Sequence, residues 1–234
     1  MNLRDCMTPV WEAITDLYAQ QTREVPFHGW HHVSFVARNA GRFAEELGAD
    51  IDAVIIAALV HDVNYLVAAQ SDASMGTSLR QEILESAGLD EDTIAVIEEI
   101  VITAETHVRS RNISPEAMAL SDADTLFKAL PITPVVLAPL YMRETGKSVR
   151  ELAEKIVAEQ VPLRDDGIYF YSESAKKKYE RWGDANLALW SCILEALDEP
   201  LVINLINQVE KYTEISGEPR SRLSNTWDGR VAFG

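Results

Sequence analysis

Apolar residues in this chain recur at intervals of three and four, and almost nowhere do they alternate with polar ones. Leu89, Ile94, Ile97, Val101 and Ala104 follow the helical period, so 90 to about 108 reads as an amphipathic helix that Asp90 or Asp92 can cap. Residues 79–87 form a second expected helix, entered through Thr77 or Ser78 and stopped by Gly88. Ser114-Pro115-Glu116 places serine at an N-cap and proline at the first helical position, opening a helix to about 130. Ser148-Val149-Arg150-Glu151 is a capping box for a helix to about 160. Two more are expected near 173–197 and 201–215, the second closed by Ser216-Gly217. The apolar run 53–60 is short enough for a strand, but its alanines and the preceding Asp50 and Asp52 favour a buried helix. The expectation is one all-α domain over 1–234 with about nine or ten helices, ending in an irregular tail, 217–234, that carries Trp227.

Composition limits what such a domain can do. With 47% apolar and 25% charged residues over 234 positions, one core can bury roughly 70–75% of the unfolded surface. The 21 basic and 37 acidic residues leave a net charge of −16, a field that repels phosphate backbones. No nucleic-acid partner is expected, and a small anionic substrate needs a local cation. Cys6 and Cys192 show no metal-type spacing, and a reduced cytoplasmic protein is the simplest expectation. The first twenty residues lack a signal-peptide apolar stretch, and the longest apolar run, at 53–60, falls far short of the ~20 residues of a membrane span. A soluble protein with no membrane partner is expected.

All five histidines, His28, His31, His32, His61 and His107, lie in the first half. The segment Phe27-His28-Gly29-Trp30-His31-His32 sits where a helix begins, His61-Asp62 closes the apolar run, and Asp122-Ala123-Asp124 lies sixty residues further on. A carboxylate emerging from a buried helix is costly unless paired or bound to metal. Two imidazoles and two carboxylates make a mixed nitrogen and oxygen shell suited to Mn, Fe, Co or Zn rather than Ca. Such an ion lowers the pKa of bound water from ~15.7 toward ~7 and polarises a phosphoryl oxygen. Taken singly the motifs have bland readings: His61 as a satisfied core histidine, Asp62 as an N-cap, His28 and His32 as a surface pair. Their order along the chain is what points to a site.

That order resembles the HD superfamily of metal-dependent phosphohydrolases, whose ligands run His … His-Asp … Asp. The resemblance covers about 27–130 and implies an HD-domain helical bundle with a C-terminal helical extension, about 131–216. It carries the ligands onto His32, His61, Asp62 and Asp124, the last through Ala123-Asp124-Thr125-Leu126, with Asp122 as the alternative because the register of Asp-Ala-Asp is open. Phe27-His28-Gly29-x-x-His32 is also similar to a Tyr-His-Asn-x-x-His motif of the phosphodiesterase branch, which makes His28 the candidate general acid; Phe27 and Gly29 depart from that pattern. A Thr-x-x-His in one family subgroup is similar to Thr103-x-x-x-His107 here, which makes His107 a candidate for protonating the leaving group or holding phosphate.

Arg109 and Arg111 are substrate-binding candidates, though arginines past a helix C-terminus also suit the macrodipole. Lys128, one turn after Asp124, can reach the same cavity or lie in solvent. His31 is assigned to the surface or to a position behind the ligands, not to direct chemistry. The resemblance implies one divalent ion (Mn, Fe, Co, Zn, Ni or Mg), since two-metal branches place two extra histidines before the last Asp and only His107 is available here. It also implies a small phosphorylated substrate such as a nucleotide, hydrolysed with Asp62 or Asp124 orienting the water. The rival is a non-catalytic HD-type module that binds a nucleotide and signals through the C-terminal helices. Leu187, Leu189, Trp190, Ile193, Leu194 and Leu197 suit core or a homodimer face, and the Ala/Ser/Gln-rich segment 63–76 is a candidate lid.

Overall fold

The computed structural model describes residues 3–20 and 25–214, and every regular element among them is helical. The chain divides into two compact units, Met1–Ser191 and Cys192–Gly234. In the first unit α1 (Leu3–Gln20), α2 (Trp30–Leu47) and α3 (Ile51–Val60) are followed by the single turn α4 (Asn64–Val67) and a 3₁₀ turn at Ala73–Gly76. Then come α5 (Thr77–Ser86), α6 (Glu91–Ala104), α7 (Pro115–Ala129), a π turn at Thr133–Leu137, α8 (Ala138–Thr145) and α9 (Val149–Asp165). Helix α10 (Glu173–Leu197) runs from the first unit into the second, which also holds α11 (Pro200–Glu214). No single helix among the described residues is long and apolar enough to cross a membrane. The predicted stop at Ser216-Gly217 and the tail with Trp227 lie outside the described residues.

The helix signals in the sequence act locally, as capping chemistry predicts. Ser114 accepts from the Ala117 N–H, Asp90 from Thr93, and Asp50 from Asp52 and Ala53. The Ser148–Glu151 capping box forms with both of its hydrogen bonds. Gly48 closes α2 at φ 69°, a left-handed conformation that costs glycine nothing. Two boundaries move. Helix α6 ends at Ala104 rather than near 108, and α9 runs on to Asp165 through Pro162. The segment after Asp62 is not a free loop. Asn64 donates to the Ser71 carbonyl at 2.7 Å, Arg80 donates to the Ala73 carbonyl at 2.6 Å, and Glu105 accepts from the Ala73 N–H.

Helix α3 is apolar all round, and such a helix is stable only at the centre of a core. Ala53, Val54 and 56–60 are buried, and α3 packs against α1, α2, α6 and α7. Its C-terminus therefore delivers His61 and Asp62 into the interior. Phe27 and Phe127 meet edge to face at 5.6 Å and, with Leu137, make a satellite cluster beside it.

Two buried polar networks hold the surrounding helices in place. Arg80 on α5, fully buried, donates to Glu98 on α6 through Nε at 2.6 Å and Nη2 at 2.5 Å. Asp122 on α7 accepts from the Tyr171 N–H at 2.7 Å, the Ser172 N–H at 2.8 Å and the Ser172 hydroxyl at 2.6 Å, tying α7 to the chain entering α10. Burial pushes the Asp122 carboxyl up to about 6 against these hydrogen bonds and the nearby Arg109.

Glu98→Ala strands a buried guanidinium and is expected to cost about 3–5 kcal/mol in urea unfolding. Burial pushes the Glu98 carboxyl up, but Arg80 and Thr77 outweigh it and hold it low. Its contribution is thus present above its unfolded value and lost as pH falls, so the variant should show a shallower loss of stability in acid than wild type. Asp122→Ala leaves buried donors unpaired and is expected to cost about 3 kcal/mol by the same measurement.

Candidate metal centre and adjoining cavity

Three of the four predicted ligands reach one place by separate local routes. His32 lies on the first turn of α2 and is 1% exposed; His61 is the C-cap of α3, and Asp62 comes directly after it. His32 Nε2 is 2.9 Å from Asp62 Oδ2 and 3.1 Å from His61 Nε2, and His61 Nε2 is 3.2 Å from the same Asp62 oxygen. Asp62 Oδ2 is nevertheless buried with no partner in hydrogen-bond geometry. The His61 Nδ1–H donates to the Ala58 carbonyl at 2.8 Å, which leaves the Nε2 lone pair facing His32 and Asp62. Two imidazole nitrogens and an unbonded carboxylate oxygen within 4.8 Å of one another could hold a metal ion.

Asp124 stands at the edge of this group. Its Oδ1 is 3.6 Å from His32 Nε2, while its Oδ2 takes the Lys128 ammonium at 2.7 Å and lies 3.5 Å from Arg109 Nη2. Asp122, two residues earlier, is turned to the other side of α7 and spent on Tyr171 and Ser172, so the structure brings Asp124 and not Asp122 to the histidines.

Charge around the centre is set by these contacts. Burial pushes the Asp62 carboxyl up, but His61 and His32 outweigh it and hold it well below the usual range. Burial likewise opposes ionisation of Asp124, yet Lys128, the two histidines and Arg109 bring it down to about 2. Burial lowers the His32 imidazole and keeps it neutral, as a ligand must be. In His61 burial also lowers, but Asp62 reverses the direction.

His28 is held beside this centre by a residue that sequence reasoning missed. Glu144 on α8 accepts from the Phe27 and His28 backbone N–H groups through Oε2 at 2.8 and 3.1 Å, and from His28 Nδ1 through Oε1. Both side chains are less than a tenth exposed. The His28 ring stacks on Tyr65 at 3.7 Å. Gly29 also has a local reason: a Cβ there would sit 3.0 Å from the Val25 carbonyl oxygen. Nothing in the sequence marks Glu144, because 116 residues separate it from His28.

A cavity of about 370 Å³ opens beside the centre, lined by His28, His61, Asp62, Asp124 and Lys128. His107 also lines it, exposed and 3.2 Å from Glu105. The two arginines go elsewhere. Arg109 is buried behind Asp124, donating to Thr125 at 2.6 Å and to the Ala104 carbonyl at 3.1 Å at the end of α6. Arg111 donates to the Asp166 carbonyl in a different surface cleft. Neither lines the cavity, so the expected arginine contact with substrate is corrected: helix-end carbonyls and Asp124 claim the first guanidinium and a loop carbonyl the second.

No curated protein matches the sequence significantly. Among solved structures, the crystal structure of a Lactobacillus plantarum protein, a Northeast Structural Genomics target, is similar at a TM-score of 0.60 and 17% identity. The match covers 91% of this chain and 98% of that one, a likeness of fold that spans the C-terminal extension as well. Residues 29–128 match the HD domain family, and the ligand order read from the sequence lies inside that span. This chain carries an HD domain at residues 29–128.

Proposed function

We propose that the protein is a metal-dependent phosphohydrolase that acts on a small phosphoester, with a nucleotide as the favoured class. HD domains are in general metal-dependent hydrolases, and the His32–His61–Asp62 group is the observation that carries the reading for this chain. His32, His61, Asp62 and Asp124 would hold one divalent transition-metal ion. When bound, such an ion supplies a Lewis acid that lowers the pKa of water and offsets charge on a phosphoryl oxygen.

The chain's own groups account for the remaining tasks. Asp62 and Asp124, both held ionised, orient water and accept its hydrogen bonds. With Nδ1–H given to Glu144, His28 has Nε2 as its free ring nitrogen, and protonated there it donates to the leaving oxygen. Lys128 reaches the cavity while bonded to Asp124, placing a cation beside the phosphate in an otherwise acidic protein. His107, exposed at the cavity wall, contacts the outer part of the substrate.

Metal analysis alongside a phosphatase screen over nucleotides tests this reading. Asp62→Ala is expected to lose both bound metal and phosphate release; full activity in that variant sinks the site assignment. His28→Ala is expected to keep its metal while kcat falls by about 10²–10⁴. A wild-type protein that binds nucleotide and metal but never releases phosphate would instead support the signalling module.

A further inference from the structure

Beyond the metal centre the cavity is walled by Leu152, Lys155 and Glu159 of α9 and by two tyrosines, Tyr65 and Tyr141. Tyr65 follows the His-Asp pair by about one turn, and its backbone N–H donates to the Asp62 carbonyl at 3.1 Å. Its ring is stacked on the His28 imidazole, with centroids 3.7 Å apart and planes 11° from parallel. Backbone and ring are thus both fixed, one to Asp62 and the other to His28. A phenylalanine would satisfy both contacts equally well, so the hydroxyl is the part of this side chain that packing leaves unexplained.

A phenol largely withdrawn from water ordinarily finds a hydrogen-bond partner. The Tyr65 hydroxyl has none among the described residues, yet unlike the hydroxyls of Tyr18 and Tyr169 it is not sealed inside the protein. It is open to the cavity that its residue lines. Burial, and then the Asp62 and Asp124 carboxylates, push this phenol well above the ordinary tyrosine value, so it keeps its proton and stays a donor. On Tyr141 the same upward push comes from burial and then from Glu159 and Glu144, carboxylates outside the ligand group. Of the two phenols in the wall, Tyr65 is therefore the one beside the metal ligands.

We propose that Tyr65 is a phosphoryl-binding residue of this site, its hydroxyl donating to a non-bridging oxygen of the substrate. A neutral donor suits this position, because it offsets charge on that oxygen without competing with a metal ion for Asp62 and Asp124. The contact is a hydrogen bond and no proton is transferred through it; the leaving oxygen is served by His28. The stack on His28 and the bond to the Asp62 carbonyl hold the donor in place before any ligand arrives. The inference rests on the hydrolase reading only for the presence of a phosphoryl group at the centre.

Calorimetric titration of the full-length, metal-loaded protein with inorganic phosphate tests it. Tyr65→Phe keeps the ring against His28 and removes only the hydroxyl. The variant is expected to bind phosphate about ten-fold more weakly than wild type at unchanged metal content. Equal affinity in the two proteins overturns the proposal, as does a wild type that takes up no phosphate. Loss of metal from Tyr65→Phe also overturns it, since the hydroxyl then serves the ligands and not the phosphate. Release of phosphate from esters is scored separately on the wild type. Binding that depends on the hydroxyl, without turnover of any ester, sinks the hydrolase reading and leaves the phosphoryl contact standing. Turnover with binding indifferent to Tyr65→Phe does the reverse.

Discussion

The convergence of His32, His61 and Asp62 in a buried space governs the rest of the site. A mostly buried carboxylate oxygen with no hydrogen-bond partner, beside two imidazole nitrogens 3.1 Å apart, is a costly arrangement that a cation among them would relieve. Helix α3 creates this situation. Apolar nearly all round, it runs through the core and ends at the cavity wall, where the side chains of His61 and Asp62 are only 10% and 13% exposed. The hydrogen bond from His61 Nδ1 to the Ala58 carbonyl then fixes which nitrogen faces inward. Arg109 and Lys128 fix Asp124 in turn, by gripping its outer oxygen from α6's end and from one turn along α7.

Within the first unit, the chain beyond residue 128 is built into this centre rather than appended to it. Glu144 clamps the segment before α2 through two backbone N–H groups and the His28 ring. Asn186 on α10 donates to the carbonyls of Lys128, Ala129 and Leu130, which α7 leaves unpaired at its end. Asp122 binds the start of α10. Three buried polar links therefore join elements on either side of residue 128, and the cavity wall depends on them. The fold likeness to the Lactobacillus plantarum structure over nearly the whole chain agrees with an extension that is part of the architecture.

Much of this was legible in the amino-acid order, and the illegible part has a consistent cause. Caps and periodicities are local, so Ser114, Asp90, Asp50 and the Ser148 box announced their helices, and the resemblance put His32, His61 and Asp62 in order. The choice between Asp122 and Asp124 stayed open because two residues on a helix differ by more than half a turn, and which side faces the core depends on what packs there. Arg109 and Arg111 misled for a similar reason. A guanidinium near a candidate site serves phosphate, a helix end or a neighbouring carboxylate equally well in one dimension.

By itself, then, the sequence determined the helical class and most helix starts, and it picked out His32, His61 and Asp62 as candidate ligands, since each rests on neighbours within a few turns or on a motif order. Tertiary structure alone decided that Asp124, and not Asp122, stands next to His32 and that Arg109 backs it. It alone brought Glu144 to His28 and lined the cavity with α9. These outcomes join residues tens to more than a hundred positions apart, and such contacts are set by how apolar faces pack, which no local spacing encodes.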